Sequence, residues 1–282
     1  MSAAATSALV LNLVACVMAV VVLMGTCLAV SAVRRDWSTI DVLWGLGFVT
    51  IAVASFALSG EWGDDTRRIL TLAATSVWGL RLACYLLWRN RAAEDPRYTA
   101  LLRRNTGPLV PYVIRSIFWP QGRTMVITSL PIQVAMYQDA PVSGVTWVGL
   151  TLAAVGITLE TVGDAQLARF KSDPANAGRV MDRGLWGWTR HPNYFGDSCV
   201  MFGLWLMACG HWLGMVTLIS PVYMTYRLIR GNGKALTERR MAAKRGQAYL
   251  DYVERTSGFF PVPPSLTRGR GARRSEPTTP AR

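Results

Sequence analysis

The chain has 282 residues, of which 51% are hydrophobic and 17% are charged, a smaller charged share than the roughly 25% that is typical of soluble domains. The apolar residues form stretches close to or beyond the roughly 20 residues that a helix needs to cross a bilayer. This composition argues against a soluble enzyme, and it excludes a disordered chain and a collagen-like repeat. We therefore predict an integral membrane protein.

The net charge of +13 raises the question of nucleic-acid binding, and the positions of the basic residues answer it. If the first helix starts outside, 27 of the 30 lysines and arginines lie on the inner face of a seven-helix protein, and the exceptions are Arg67, Arg68 and Arg81. The positive-inside rule requires such a distribution. We expect the N-terminus outside, the C-terminus inside and no nucleic-acid partner.

The fold class predicted from hydropathy is an all-α polytopic membrane bundle of about seven transmembrane helices. Ser38 is a candidate N-cap for the second helix, and Pro131 interrupts the fourth. The predicted helices, in chain order, cover about residues 8–33, 39–59, 69–88, 122–138 and 143–163, followed by a hairpin of two helices within 193–229.

The polar segments complete the predicted organisation. Residues 89–123 form a basic inner loop, and the tail is expected to be helical to about Tyr252. We predict a single transmembrane catalytic domain at 1–264, with its cofactor region at 160–261. The end of the chain, 265–282, is rich in Ser, Thr and Arg and is predicted to be a disordered basic tail.

No metal site is expected from the sequence. The five cysteines lie in apolar segments without C-x-x-C spacing, and the chain has only two histidines, His191 and His211. A structural zinc site or a disulfide framework needs a denser set of ligands.

The densest group of functional side chains lies at 164–197, where hydropathy falls after the fifth helix. The sequence R-H-P-N-Y places His191, Asn193 and Tyr194 at a helix entrance, and Asp197 follows near membrane depth. Asp164 and Lys171 are two helical turns apart and share a face. An ionisable group at membrane depth is a functional candidate.

The same stretch has the chemistry that a dinucleotide requires. Its arginines and lysine suit phosphates, and its aromatic side chains suit a flat ring. No G-x-G-x-x-G occurs, which excludes a Rossmann domain. The alternative interpretation is an interface belt, with aromatics at headgroup depth and basic residues on lipid phosphates. The residues concerned are Arg169, Lys171, Arg179, Arg183 and Arg190, with Trp186, Trp188 and Tyr194.

The order of these residues resembles the C-terminal catalytic region of the steroid 5α-reductase superfamily over residues 160–261. Gly196-Asp197 after Asn193-Tyr194 is similar to the sterol C14-reductases. The resemblance implies NADPH-dependent reduction of an activated carbon–carbon double bond in a lipid. Segments at 38–48, 78–82, 94–98 and 129–131 resemble an uncharacterised bacterial branch of the superfamily.

Matching positions carry the family's expected roles. The resemblance implies that Asp197 helps to deliver the proton, as an aspartate does in the sterol reductases. Tyr194 and Asp41 are further candidates for catalysis. The implied cofactor contacts are Asp164, Arg169, Lys171, Arg179, Arg190, His191, Asn193, Tyr194 and Tyr252.

The reaction itself explains why carboxyl groups matter. Hydride addition to an electron-poor alkene leaves negative charge that an acid or a hydrogen-bond donor must stabilise. Asp41 and Asp197 are the best-placed carboxylates, and Asp41 shares a helix face with Trp44. The alternative for Asp41 is neutralisation of a helix N-terminus.

The substrate residues are expected on the second and third helices. Where steroid reductases hold the substrate carbonyl with a tyrosine on helix three, this chain aligns Trp78, with Tyr85 two turns further on. Tryptophan lacks the acidic phenol, which argues against a steroid 3-ketone. The candidate substrate contacts are Trp44, Trp78 and Tyr85.

A methyltransferase is the alternative function. R-H-P-x-Y-x-G also occurs in isoprenylcysteine and phospholipid methyltransferases, which use S-adenosylmethionine and share the pattern Glu238…Tyr249…Tyr252…Pro261. A methyl donor has no phosphates and does not need the basic set at 169–190. A lipid-binding protein with a decayed site is a third interpretation, disfavoured because the polar positions are chemically competent.

These arguments together predict the setting of the protein. We expect NADPH as cofactor and a lipid substrate that enters from the bilayer. We also expect membrane lipids as partners, no nucleic acid, and a monomer. The predicted location is the bacterial inner (plasma) membrane, with the cofactor site facing the cytoplasm.

Overall fold

A computed structural model describes residues 2–91, 94–231 and 233–264, so the predicted disordered tail lies outside the described residues. The helices are α1 (Ala3–Arg34), α2 (Thr39–Leu58), α3 (Asp65–Asn90), α4 (Pro96–Leu102), α5 (Leu109–Val113), α6 (Trp119–Thr128), α7 (Leu130–Ala135), α8 (Gly144–Ser172), α9 (Pro192–Ala208), α10 (Trp212–Val216), α11 (Ile219–Arg230), α12 (Lys234–Arg245) and α13 (Gln247–Arg255). Among the described residues no strand is formed, and one isolated bridge joins Thr189 to Ser257.

Four of these helices, α1, α2, α3 and α8, are long and apolar enough to cross a membrane. This confirms an all-α integral membrane protein. The predicted fourth helix is divided into α6 and α7, because Pro131 stands in the first turn of α7 and cannot continue α6. The predicted hairpin is divided into α9, α10 and α11. The count of seven crossings therefore stays a prediction.

Local sequence accounts for several helix ends. Asp64 accepts a hydrogen bond from the Arg67 N–H at 2.8 Å at the start of α3, and Asp95 caps α4 in the same way ahead of Pro96. Gly246 separates α12 from α13 at φ 55°, a left-handed conformation that glycine adopts without strain. Ser38 occupies the predicted N-cap of α2, but its hydroxyl donates to Asp36 at 2.6 Å.

The chain divides into two compact units, Met1–Ala153 with Met201–Tyr223 and Ala154–Val200 with Met224–Arg282. In the first unit α2 and α3 approach closely, since a Cβ on Gly79 would lie 2.6 Å from the Gly45 carbonyl oxygen. Asn12 donates to Ser55 at 3.1 Å and to Gln133 at 3.2 Å. Such pairs satisfy polar groups where the bilayer supplies no water.

In the second unit α8 packs against α9 through Gly156 and Gly196. A Cβ on Gly156 would lie 2.5 Å from the Gly196 carbonyl oxygen, so the two backbones are in direct contact. This close approach places the polar end of α8 beside the first turn of α9.

A C-terminal segment, residues 256–262, runs beside the loop that precedes α9. The Arg190 N–H donates a hydrogen bond to the Ser257 carbonyl at 2.9 Å, and the Thr189 hydroxyl donates to the Phe259 carbonyl at 2.9 Å. In the other direction, the Val262 N–H donates to the Trp188 carbonyl at 3.0 Å. The segment therefore makes hydrogen bonds with three consecutive residues of the loop, Trp188, Thr189 and Arg190.

Candidate functional site

The site begins where α8 meets α9. Asp164 on α8 is buried, and the Asn193 amide on α9 donates to its carboxylate at 3.4 Å. The amide oxygen of Asn193 accepts the Tyr194 N–H at 3.0 Å. These contacts fix the orientation of the amide, and they bring together two of the predicted cofactor residues.

A second carboxylate, Glu160, lies one turn before Asp164 on α8 and is also buried. A Cβ on Gly196 would lie 2.9 Å from the Glu160 Cγ, so this side chain lies against the turn of α9 that carries the half-buried Asp197. Glu160 was not among the site residues predicted from the sequence. Its position one turn from Asp164 on the same helix is the signal that was available.

The predicted phosphate ligands are at the exposed end of the site. Arg169 and Lys171 on the last turns of α8, and Arg179 in the following loop, are all exposed. Asp164 and Lys171 are seven positions apart on α8, a rise of about 10 Å along the helix. The second unit therefore has a buried polar end and a cationic end that solutes can reach.

Protein groups occupy the guanidinium of Arg190, which is part of the same predicted cofactor set. Its Nε donates to Glu238 at 2.8 Å, and its Nη1 donates to the carbonyls of Val253 at 3.0 Å and Thr256 at 2.6 Å. The sequence predicted Arg190 as a cofactor contact. These hydrogen bonds give it the role of holding the entrance of α9 to the C-terminal helices.

His191 shares the same carboxylate and is almost fully buried. Its Nε2 lies 3.2 Å from the Glu238 carboxylate, and its ring stacks on Tyr194 with centroids 5.1 Å apart and planes 4° apart. Burial lowers the pKa of His191, although the hydrogen bond to Glu238 opposes this shift. The imidazole is therefore neutral at neutral pH.

Glu238 on α12 is the acceptor for both residues. Burial alone would raise its pKa, but hydrogen bonds from His191 and Arg190 and the positive charges of Arg190 and Lys234 lower it to about 2. Glu238 was recognised in the sequence only as part of a tail pattern. Its pairing with a helix entrance 47 residues away has no local signal.

Tyr252, another predicted cofactor residue, supports the loop before α9. Its hydroxyl donates to the Trp186 carbonyl at 2.6 Å, and the Trp186 indole donates to the Gly163 carbonyl at 2.9 Å. Burial raises the pKa of Tyr252, so the phenol stays protonated and continues to donate. Tyr252 thereby fixes the loop next to Asp164.

In the first unit Asp41 belongs to a cluster of charges, the Asp41 cluster, made by Asp41, Arg89, Asp95, Arg97 and Tyr98. Asp41 accepts from Arg97 at 2.7 Å and from Tyr98 at 2.6 Å, and Arg89 lies at 3.6 Å. Burial and the Asp41 charge raise the pKa of Tyr98 well above its usual value. Both oxygens of the Asp41 carboxylate therefore already accept hydrogen bonds from protein groups, one of them from an arginine. The segment 94–98 was singled out only for its resemblance to the bacterial branch, and its pairing with Asp41 was not predicted.

The predicted substrate residues also lie in the first unit, on α2 and α3. Trp44 and Trp78 each make an edge-to-face contact with Phe48, at centroid distances of 5.4 and 5.1 Å, and Trp78 is fully buried. Tyr85 is half-buried, with the Arg81 guanidinium 5.5 Å from its ring centroid. The two tryptophans thus belong to one aromatic row centred on Phe48.

Within the described residues no group of three or more His, Cys, Asp and Glu side chains is arranged to hold a metal ion. The polar groups that remain as candidates for a bound molecule are therefore amides, carboxylates, guanidinium groups and the Lys171 ammonium. These are groups that recognise hydroxyls and phosphates.

Comparison with known proteins identifies a family and a similar protein. The family described as "Protein of unknown function (DUF1295)" matches residues 27–256. A Delta(14)-sterol reductase of Mus musculus, TM7SF2, is 29% identical over 149 residues, which cover 45% of this chain and 33% of the relative. The match thus spans a third of that protein's length. No solved structure matches the chain. The similarity is consistent with the expected relationship to steroid-reductase-like proteins.

Proposed function

The chain belongs to the DUF1295 family, and we propose that it is a membrane-embedded reductase of an activated carbon–carbon double bond in a lipid, with NADPH as hydride source. The similarity to a sterol reductase supports a lipid reductase in general. The observation that carries the proposal is in the second unit. There the buried Asp164, which accepts a hydrogen bond from Asn193 of α9, lies on the same end of α8 as the exposed cations Arg169 and Lys171.

The side chains of this region fit NADPH. Guanidinium and ammonium groups at Arg169, Lys171 and Arg179 suit the phosphates, including a 2′-phosphate. The Asp164 carboxylate suits a ribose hydroxyl, and the Asn193 amide both donates and accepts, as a carboxamide partner must. When bound, NADPH supplies the hydride.

The other predicted cofactor residues divide into two roles. We assign His191 and Tyr194 to direct contact with the nucleotide, because their stacked rings lie at the entrance of α9 next to Asn193. Arg190 and Tyr252 act through the protein, since their donor groups are bonded to Glu238 and to backbone carbonyls.

We assign proton delivery to Asp197, with Tyr194 as the alternative donor. Asp197 lies in the second turn of α9, not in the first, and is half-buried, where a carboxyl group is a functional candidate. Asp41 is the weaker candidate, because both of its oxygens accept hydrogen bonds in the Asp41 cluster. Substrate contact is assigned to Trp44, Trp78 and Tyr85, with a lipid that enters from the bilayer.

The proposed topology places the N-terminus outside and the loop after α8 in the cytoplasm. In a seven-crossing protein, the four long helices would be completed by α6 with α7, by α9, and by α11. We propose that the protein acts as a monomer in a bacterial inner membrane. The distribution of lysines and arginines supports the orientation with the N-terminus outside and the loop after α8 in the cytoplasm.

Nucleotide binding by the detergent-solubilised protein tests the proposal. Lys171→Ala and Arg179→Ala should each weaken NADPH binding about 10- to 100-fold, the contribution of a hydrogen bond to a charged group, and should weaken NADH less. Arg239→Ala, which removes an exposed arginine on α12, is the matched control and should change neither. Equal losses for the two nucleotides would remove the basis for NADPH. Binding of S-adenosylmethionine in place of both would favour a methyltransferase.

A further inference from the structure

Glu238 connects α12 to the entrance of α9 through a single oxygen. Its Oε1 lies 2.8 Å from the Arg190 Nε and 3.2 Å from the His191 Nε2, and the Lys234 Nζ lies 3.8 Å from its Oε2. The His191 and Arg190 side chains are only 5% and 10% exposed. We call these four residues the Glu238 cluster. The geometry shields the histidine from water and gives it a charged neighbour.

The chemistry of the pair decides which ring nitrogen carries the proton. An ionised carboxylate only accepts hydrogen bonds, and Glu238 is held in that form by the two cations of the cluster. A neutral imidazole has one N–H and one lone pair. The Nε2 that faces Glu238 must therefore carry the proton, which leaves the lone pair on Nδ1.

The ring is also held on its face. It stacks on Tyr194 with planes 4° apart, and the His191 backbone N–H donates to the Thr189 hydroxyl at 3.3 Å. Asn193, the predicted partner of the nicotinamide, is two residues further along the chain. A fixed ring with a defined acceptor is suited to recognising a hydrogen-bond donor.

We propose that Glu238 is a positioning residue that fixes His191 as the Nε2–H tautomer, so that Nδ1 accepts a hydrogen bond from a hydroxyl or amide donor of the bound nucleotide. The identity of the ligand rests on the proposed function, whereas the tautomer does not. A purely architectural Glu238 would hold α12 in place without any preference for one tautomer.

Nitrogen NMR of histidine labelled with nitrogen-15 tests the tautomer directly. The chain has only His191 and His211, and the substitution His211→Asn leaves a single set of ring signals while keeping a residue that suits the N-cap of α10. In this background at neutral pH we expect a protonated Nε2 and an unprotonated Nδ1. A protonated Nδ1, or a doubly protonated ring, would overturn the proposal.

The variant Glu238→Met removes the acceptor and should convert His191 to a mixture of tautomers. Glu254→Met, which removes an exposed carboxylate from α13, is the matched control and should leave the signals unchanged. If Glu238→Met folds and keeps the wild-type tautomer, Glu238 does not set it. If the variant does not fold, the measurement on the His211→Asn protein alone decides the matter.

Addition of NADPH separates this inference from the proposed function. Saturating NADPH should shift the Nδ1 signal, and Glu238→Met should weaken NADPH binding about tenfold, the loss of roughly one hydrogen bond. Binding of NADPH that leaves the Nδ1 signal unchanged would overturn the contact with the nucleotide. A protein with the expected tautomer that binds no NADPH would overturn the proposed function instead.

Discussion

The contact between α8 and α9 predicts that Gly156→Ala damages both stability and nucleotide binding. The added Cβ would lie 2.5 Å from the Gly196 carbonyl oxygen and 2.7 Å from the Val200 nitrogen, whereas ordinary contacts begin at 3.4 Å. These neighbours are backbone atoms, so the helices must separate by about 1 Å. Overpacking of this kind costs about 1–3 kcal/mol.

Separation of the helices also weakens the contact between Asn193 and Asp164, because the Asn193 Nδ2 already lies 3.4 Å from the Asp164 Oδ1. A further displacement removes this hydrogen bond, and binding that depends on the oriented amide is lost with it. We expect Tm in detergent to fall by roughly 3–10 °C, and NADPH affinity to fall about tenfold or more.

Gly144→Ala is the matched control, because it adds the same methyl group to α8 at a position where nothing lies within 4 Å. This variant should keep the Tm and the affinity of the wild type. The assay is thermal unfolding followed by nucleotide titration on the same preparations. If Gly156→Ala behaves like Gly144→Ala, the two helices are not in backbone contact and the reasoning fails.

Three further predictions concern chemistry, pH and topology. Asp197→Asn should retain NADPH affinity and reduce turnover by roughly 10²–10⁴, and normal turnover in a single-turnover NADPH oxidation assay would exclude Asp197 as the proton donor. Acidification should destabilise the protein, because both His191 and Glu238 have a lower pKa in the folded protein than in the unfolded chain. The unfolded chain therefore takes up a proton at His191 below pH 6.5, and at Glu238 below pH 4.5, before the folded protein does. The folded pKa of Glu238 is about 2. Thermal unfolding between pH 8 and about 2 measures this effect, and Glu238→Gln should reduce the loss of stability below pH 4.5. A reporter placed at Arg179 should label from the cytoplasm, and labelling from outside would contradict both the orientation and the location of the cofactor site.

The sequence was most informative where one local rule decides the structure. Hydropathy over 20 or more residues located α1, α2, α3 and α8, because lipid leaves the backbone no alternative to a helix. Proline located the break at Pro131 and the start of α9 at Pro192, since its missing N–H is tolerated in a first turn. These are effects of neighbouring residues, so they can be read along the chain.

The sequence was least informative for partners that are distant in the chain. Arg190 was predicted as a cofactor contact, and its hydrogen bonds to Glu238, 48 residues away, and to two backbone carbonyls were not predicted. Asp41 and Arg97 are 56 residues apart and pair because α4 folds back to the start of α2. No periodicity encodes such pairs, and an arginine beside an aromatic residue has the same local pattern whether it binds a ligand or the protein.

The C-terminal segment has a consequence for the biosynthesis of the protein. Residues 256–262 leave the ribosome after every helix of the described chain, yet they supply carbonyl acceptors for the Arg190 guanidinium and the Thr189 hydroxyl. Until this segment docks, the loop before α9 has a buried cation without those acceptors, and such a group is costly. Nascent chains inserted in the membrane therefore pass through a stage in which the helices are present and the loop before α9 is not yet held in place. Premature termination before residue 256 should leave the chain at that stage, without the carbonyl acceptors of Thr256 and Phe259.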